Sequence, residues 1–378
     1  MRNFKLTLIF SLILILLGNF FLGCKKEPKV IKIGVITPLT GEGATYGMAT
    51  KRGVDLAVEE INMAGGINGK KVKVIYEDDK MTPKDAVNAL NKLIRVDKVP
   101  VVIGGFTSRV TLALAPVAEQ NKVILFSASS TADDIKNAGD YIFRNVPPNR
   151  AQGHTAALFV TQFLRKTKSA ILYKNDDYGK SLAEAFKESF LKLGGKILIE
   201  ESYDPGKKDF RDVLSKIKPL NPEIIYYPGN YQESGIILKQ AKEMGIKSIF
   251  VGGDGSYSPE LINIAGAAAE GSYYTLMAMG FGIADEEIEK FTKSFKEKYG
   301  EEPDVYAAYA YDAMKTLAEA IKIGGYSADG IKKALYTTTF KGVTGITKFD
   351  SYGEVDKPYY IYEVKNGKFE LLKWVPPK

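Results

Sequence analysis

Ile31-Lys-Ile-Gly-Val-Ile-Thr37-Pro-Leu-Thr-Gly-Glu-Gly-Ala-Thr-Tyr46-Gly47 and Ser169-Ala-Ile-Leu-Tyr-Lys-Asn-Asp-Asp-Tyr178-Gly179 follow one plan. Each is a short β-rich run that ends in polar residues and glycine and then passes into an amphipathic helical stretch. Working outward from both, the plan repeats. A first copy has strands expected at Ile31 to Thr37, Lys71 to Glu77, Val99 to Gly104, Val123 to Ser127 and Tyr141 to Arg144. A second has them at Ser169 to Tyr173, Lys196 to Glu200, Glu223 to Tyr227, Ser248 to Val251 and Gly271 to Met277. A helix fits in every gap, which is the signature of parallel α/β sheets. Three helical stretches follow, at about 285 to 299, 303 to 323 and 328 to 338, and the chain ends in strands at Gly345 to Phe349, Tyr359 to Val364 and Phe369 to Trp374.

The 378 residues, at roughly 150 per domain, fit two sizeable domains better than one. No linker rich in Pro, Gly and Ser separates the copies, so the lobes are expected to be joined tightly. Chain crossings near 145 to 149, 278 and 345 to 352, the first stiffened by Pro147-Pro148, would form a three-strand hinge. The fold class expected is α/β: two Rossmann-like lobes with parallel sheets. Residues 30 to 146 with 278 to 348 form lobe 1, and 147 to 277 with 349 to 378 form lobe 2. The terminal helical block has to pack somewhere, and the outer face of the first sheet is one option.

Composition removes several classes of activity. One cysteine, Cys24, and one histidine, His154, exclude a disulfide framework and a Cys/His zinc site. A serine triad would have to use His154, and there is no G-x-S-x-G elbow. Gly41-x-Gly43-x-x-x-Gly47 has the wrong spacing for a dinucleotide fingerprint, and Lys174 stands where a P-loop ending in Gly179-Lys180-Ser181 needs its first glycine. Asp176 and Asp177 could meet a metal, but adjacent side chains on a turn diverge; no metal and no cofactor are expected. Of the formal charge of +7, Arg2 and Lys5 belong to the leader, leaving +5 interleaved with acids along helices. That is a solvated mixed surface, not a nucleic-acid groove.

Residues 1 to 23 have a basic start, a short apolar run from Leu6 to Leu17, and Gly18 to Gly23 before Cys24, the layout of a signal peptide. Phe21-Leu-Gly-Cys24 resembles the bacterial lipoprotein box, with Phe in place of the usual leucine. That resemblance implies cleavage before Cys24, lipidation of its sulfur, and residues 24 to 29 as a tether holding the mature chain outside the cytoplasm.

Ligands of open parallel sheets bind at the carboxyl ends of the strands. In copy one those ends carry Tyr46, Ser108, Ser129 and Thr131 among glycines leading into helix N-termini, which suit a carboxylate. In copy two they carry Tyr178, Asn230 and Asp254, which suit a cation. One lobe for a carboxylate and another for an ammonium describe a site for an α-amino acid. Taken singly, each such Ser, Thr or Asp is more often a helix cap; the asymmetry between the copies is the stronger signal.

Ile33-Gly-Val-Ile-Thr-Pro-Leu-Thr-Gly41, Asp55-Leu-Ala-Val-Glu-Glu-Ile-Asn62 with Ala64-Gly-Gly-Ile-Asn-Gly69, Glu77-Asp-Asp79, Asp177-Tyr-Gly-Lys180 and Ile264-Ala-Gly-Ala-Ala-Ala-Glu-Gly271 appear in that order. In this order and spacing the chain resembles the branched-chain amino acid binding family of type I periplasmic binding proteins, the receptors of ABC importers. The resemblance spans the mature chain and implies a cleft that closes on its ligand. It also implies that Ser108, Ser129 and Thr131 hold the main-chain groups of the ligand, that Tyr178 and Asp254 face its ammonium, and that Tyr46 is an aromatic lid. Asp254 stands where many members have Glu, and Asn230 where binders of aliphatic amino acids have an aromatic residue. The function implied is a monomeric, non-enzymatic, lipid-anchored receptor that hands an aliphatic amino acid to a membrane permease. A same-fold receptor for urea, short amides or aromatic acids is the alternative, and a nucleotide-dependent enzyme a third reading.

Overall fold

The computed structural model describes residues 30–279 and 285–372. The expected signal peptide, Cys24, the tether and Trp374 lie outside the described residues.

Strands β1 (Ile31–Thr37), β2 (Val72–Asp78), β3 (Val101–Gly104), β4 (Ile124–Ser127) and β5 (Ile142–Arg144) form one sheet in the order β2-β1-β3-β4-β5. Every pairing in it is parallel. All four residues of β3 and of β4 are buried, as expected of strands covered on both faces. Strands β6 (Lys168–Lys174), β7 (Lys196–Tyr203), β8 (Ile224–Tyr226), β9 (Ile249–Gly252) and β10 (Tyr273–Met277) build the parallel part of a second sheet. Phe340–Gly342 (β11) and Gly345–Thr347 (β12) pair only with each other. The last strands, β13 (Tyr359–Lys365) and β14 (Lys368–Leu372), extend the second sheet antiparallel beside β10, completing the order β14-β13-β10-β9-β8-β6-β7.

Between the strands lie helices α1 (Ala44–Met63), α2 (Pro83–Lys92), α3 (Ser108–Gln120), α4 (Asn149–Leu158), α5 (Asp177–Lys192), α6 (Arg211–Ile217), α7 (Tyr231–Glu243) and α8 (Pro259–Ala265). The terminal block is α9 (Asp285–Tyr299), α10 (Val305–Gly324) and α11 (Ala328–Thr337). Most of α10 is buried, because α1 covers one of its faces. The two helices approach so closely that a Cβ on Gly53 would stand 2.0 Å from the Ala307 carbonyl oxygen. Across the same contact Tyr311 donates to Glu60 at 2.6 Å and Lys315 pairs with it at 2.7 Å. The terminal helices therefore pack with the first sheet.

Asp312 on α10 explains why β12 is a hairpin arm and not a sheet strand. Its buried carboxylate accepts from Val343 N at 2.9 Å and Thr344 N at 2.7 Å, which fixes the turn between β11 and β12 against the helix.

Three chain passages between the sheets run side by side. Arg144 N donates to Gly353 O at 3.0 Å, Ala278 N to Pro358 O at 3.2 Å, and the Tyr359 hydroxyl to Pro147 O at 2.7 Å. An ionic knot locks them. Glu354 pairs with Arg144 through one oxygen and Arg150 through the other, while Arg150 also reaches Asp133 at 3.0 Å. Arg144 and Glu354 are buried. Burial pushes the Glu354 carboxyl up, but the hydrogen bonds and charges of Arg150 and Arg144 outweigh it, and the group titrates below the ordinary glutamate value.

Removing one member of such a buried pair leaves the other charge uncompensated, so Glu354→Ala should cost about 3 to 5 kcal/mol of folding stability. Glu188→Ala, which breaks the exposed and solvent-screened pair with Lys192, should have a far smaller effect. Urea unfolding of the two variants checks the contrast; equal losses would contradict it.

Candidate functional site

The carboxyl ends of the parallel strands of the two sheets face each other across the passages, and a cavity lies between them. Five of the seven positions expected to meet a ligand line it: Ser108, Ser129, Tyr178, Asn230 and Asp254. Phe106, Thr107, Asp176, Gly255 and Tyr306 complete its wall.

From the first sheet, β3 ends at Gly104 and the chain turns into α3, whose N-cap is Thr107 and whose first residue is Ser108. The unpaired amides of a helix N-terminus and their dipole favour an anion there. Ser108 Oγ accepts from Ala132 N at 3.1 Å, and Ser129 Oγ donates to Phe106 O at 2.8 Å, so both hydroxyls are fixed by the backbone of the neighbouring loop. Thr131 stands just behind: it is fully buried, its hydroxyl has no partner, and its carbonyl accepts from Asn149 N at 2.7 Å.

From the second sheet, β9 runs into Gly252-Gly-Asp254-Gly255. A Cβ on Gly253 would meet the Tyr178 hydroxyl at 2.5 Å, and one on Gly255 the Gly229 carbonyl oxygen at 2.8 Å. Only glycine on both sides lets the loop seat Asp254 here. Asp254 Oδ1 accepts from the Tyr178 hydroxyl and from Gln152 Nε2, each at 2.8 Å, and Gly255 N donates to the Tyr178 oxygen at 3.0 Å. Both donors to Asp254 are neutral. Burial accordingly pushes its carboxyl up to about 6, against the opposing pull of the Gln152 and Tyr178 hydrogen bonds.

Asp176 caps α5 by accepting from Gly179 N at 2.8 Å, and burial raises its carboxyl too. Asn230 occupies the cap position of α7, yet its side chain makes no capping bond; Lys174 Nζ donates to its Oδ1 at 2.8 Å.

Tyr46 does not line the cavity. It backs the wall, stacked on Phe106 at 4.8 Å between ring centres and edge-on to Tyr306 at 5.4 Å. Its hydroxyl donates to Gly255 O and accepts from Tyr231 N at 3.3 Å, so α1 of the first lobe is fastened to the second. Tyr306 adds a similar tie, donating to Asp254 O at 2.6 Å. In this conformation the cleft is closed.

Phe106 and Thr107 lie within a strand end whose polar residues pointed here. Tyr306 lies in the first turn of α10 and Gln152 inside α4, with no local motif to mark either. Among the described residues no cluster of three His, Cys, Asp or Glu could hold a metal ion. His154 is exposed on α4. The cavity thus offers a helix N-terminus with two hydroxyls on one side and a buried carboxylate on the other.

A profile of the periplasmic binding protein family matches residues 30–368. The leucine-, isoleucine-, valine-, threonine-, and alanine-binding protein of Pseudomonas aeruginosa is 32% identical over 346 residues, covering 91% of this chain and 90% of that one. Among solved structures, a leucine binding protein from Thermotoga maritima superposes with a TM-score of 0.87 at 31% identity, covering 92% of this chain and 99% of that one. The branched-chain amino acid transporter substrate binding protein of Streptococcus pneumoniae, in complex with isoleucine, gives 0.84 at 35% identity over 91% and 99%. The chain belongs to the periplasmic binding protein family.

Proposed function

We propose that this protein captures a branched-chain or other aliphatic α-amino acid between its lobes, outside the cytoplasm, and delivers it to the permease of an ABC importer. The observation that carries the reading is Asp254: a buried carboxylate met only by neutral donors, across one cavity from the α3 N-terminus at Ser108. An ammonium supplies the missing charge, and the ligand carboxylate meets Thr107, Ser108 and Ser129. Asp254 stands in the wall with no cation beside it, whereas Asp176 feels the charges of Lys174 and Arg109; the uncompensated Asp254 favours a positively charged group over an aromatic acid. The names of the three relatives above, all amino acid binders, support the same ligand class. The receptor does no chemistry on its cargo. Lobe 1 comprises residues 30 to 146 with 278 to 348, and lobe 2 residues 147 to 277 with 349 to 378.

Asp254→Asn keeps the shape and removes the charge. It should weaken the amino acid by two to four decades, the equivalent of about 3 to 5 kcal/mol, and an uncharged amide much less. Calorimetry on wild type and variant checks this; an affinity within about threefold of wild type contradicts the reading.

The pH dependence has a definite sign. An ammonium beside Asp254 lowers its raised value, so binding favours the ionised carboxylate and expels a proton where the free protein is protonated. Affinity should be full above pH 6 and fall about tenfold per unit below it. An affinity unchanged between pH 7 and 5 would count against Asp254 as the ammonium partner.

Cys24, the only cysteine, carries the proposed lipid anchor. Mass spectrometry of the mature N-terminus should find Cys24 diacylated and first in the chain; a free thiol or another start overturns the anchor.

A further inference from the structure

Asn230 is held in a way that a wholly apolar ligand would leave unused. Its Oδ1 accepts from Lys174 Nζ at 2.8 Å, and the same ammonium pairs with Glu233 Oε1 at 3.0 Å. Glu233 is fixed in turn by Gly206 N at 3.2 Å, and Lys174, Asn230 and Glu233 are all buried. An ammonium can only donate, so the amide has one orientation: its oxygen faces Lys174 and its nitrogen faces away. On that other side the amide nitrogen hydrogen-bonds the Tyr46 hydroxyl, which leaves one N–H for the cavity that Asn230 lines. Asparagine at a helix N-cap ordinarily uses its side chain to cap. Here the second lobe commits a buried ion pair to aiming that side chain elsewhere.

The neighbouring wall is apolar. Phe106 and Tyr306 pack against each other at 5.1 Å between ring centres, with Tyr46 behind both. If Asp254 and the α3 N-terminus take the main-chain groups, the ligand side chain enters a compartment of aromatic rings with one fixed N–H donor.

We propose that Asn230 Nδ2 is a hydrogen-bond donor to the ligand's side chain, so that the site prefers an amino acid with a side-chain oxygen to its all-carbon isostere. The proposal rests on the amino-acid reading above and, within it, moves the preferred side chain from a purely aliphatic one to one that carries an oxygen. L-Threonine and L-valine form the discriminating pair, because they share a shape and differ by a hydroxyl in place of a methyl. A methyl against the amide leaves a desolvated donor unpaired, and sites built to bond a hydroxyl reject the analogue that lacks it.

Calorimetry on the full mature chain should show L-threonine binding about tenfold more tightly than L-valine, and Asn230→Leu should bring that ratio to one or below. If wild type binds L-valine as tightly as L-threonine or more so, this inference is overturned and the amino-acid reading stands. If neither they nor any other α-amino acid binds, both fall. The wild-type ratio decides even if the variant does not fold.

Discussion

A carboxylate buried with no cation beside it is the constraint around which this molecule is arranged. Asp254 is bonded by an amide and a phenol, and neither offsets its charge. Such a group is costly unless it takes up a proton or a cation. The architecture keeps it there. Parallel strand order brings the β9 end to the cleft, glycines on both sides let the loop approach Tyr178 and Gly229, and Gln152 from α4 holds the carboxylate to the Thr275 backbone. The opposite wall is built to complement it, with hydroxyls pinned by backbone groups and a helix N-terminus.

The two halves of the site belong to different sheets, so the cavity exists only while those sheets face each other. Tyr46 and Tyr306 make direct ties to carbonyls of the Asp254-Gly255 loop, and Tyr231 and Gln232 make others to the Glu42 carbonyl. None is an ion pair. Such neutral bonds to carbonyls are worth about 1 kcal/mol each in net terms, weak enough to be exchanged for water when the lobes part. The passages, by contrast, carry the Arg144–Glu354–Arg150 knot, whose buried Arg144–Glu354 pair resists rearrangement. Soft contacts at the mouth and a stiff knot at the base are what a hinged receptor requires.

Much of the fold was legible in the sequence, because strands buried on both faces read as unbroken apolar runs and parallel order forces a helix between them. Boundaries fell within a few residues. Gly345 to Phe349 was not legible as a hairpin arm, since β-propensity cannot name a partner and here Asp312, more than 30 residues upstream, chooses it. At the site, Ser108, Ser129, Tyr178, Asn230 and Asp254 could be found because a parallel sheet collects its strand ends in one place. Tyr306 and Gln152 sit inside helices, where an aromatic or an amide reads as core or surface until the neighbouring lobe is in place. Tyr46 and Thr131 were legible as strand-end residues but stand one layer back from the cavity, since position along a strand does not say which layer a side chain reaches.

The most direct test of the account is a crystal structure of the mature chain bound to the amino acid that raises its melting temperature most. The account predicts the ligand ammonium within about 2.7 to 2.9 Å of Asp254 and the ligand carboxylate on Ser108 at the α3 N-terminus. A ligand bound in the reverse sense, or one with no positive group at Asp254, would contradict it.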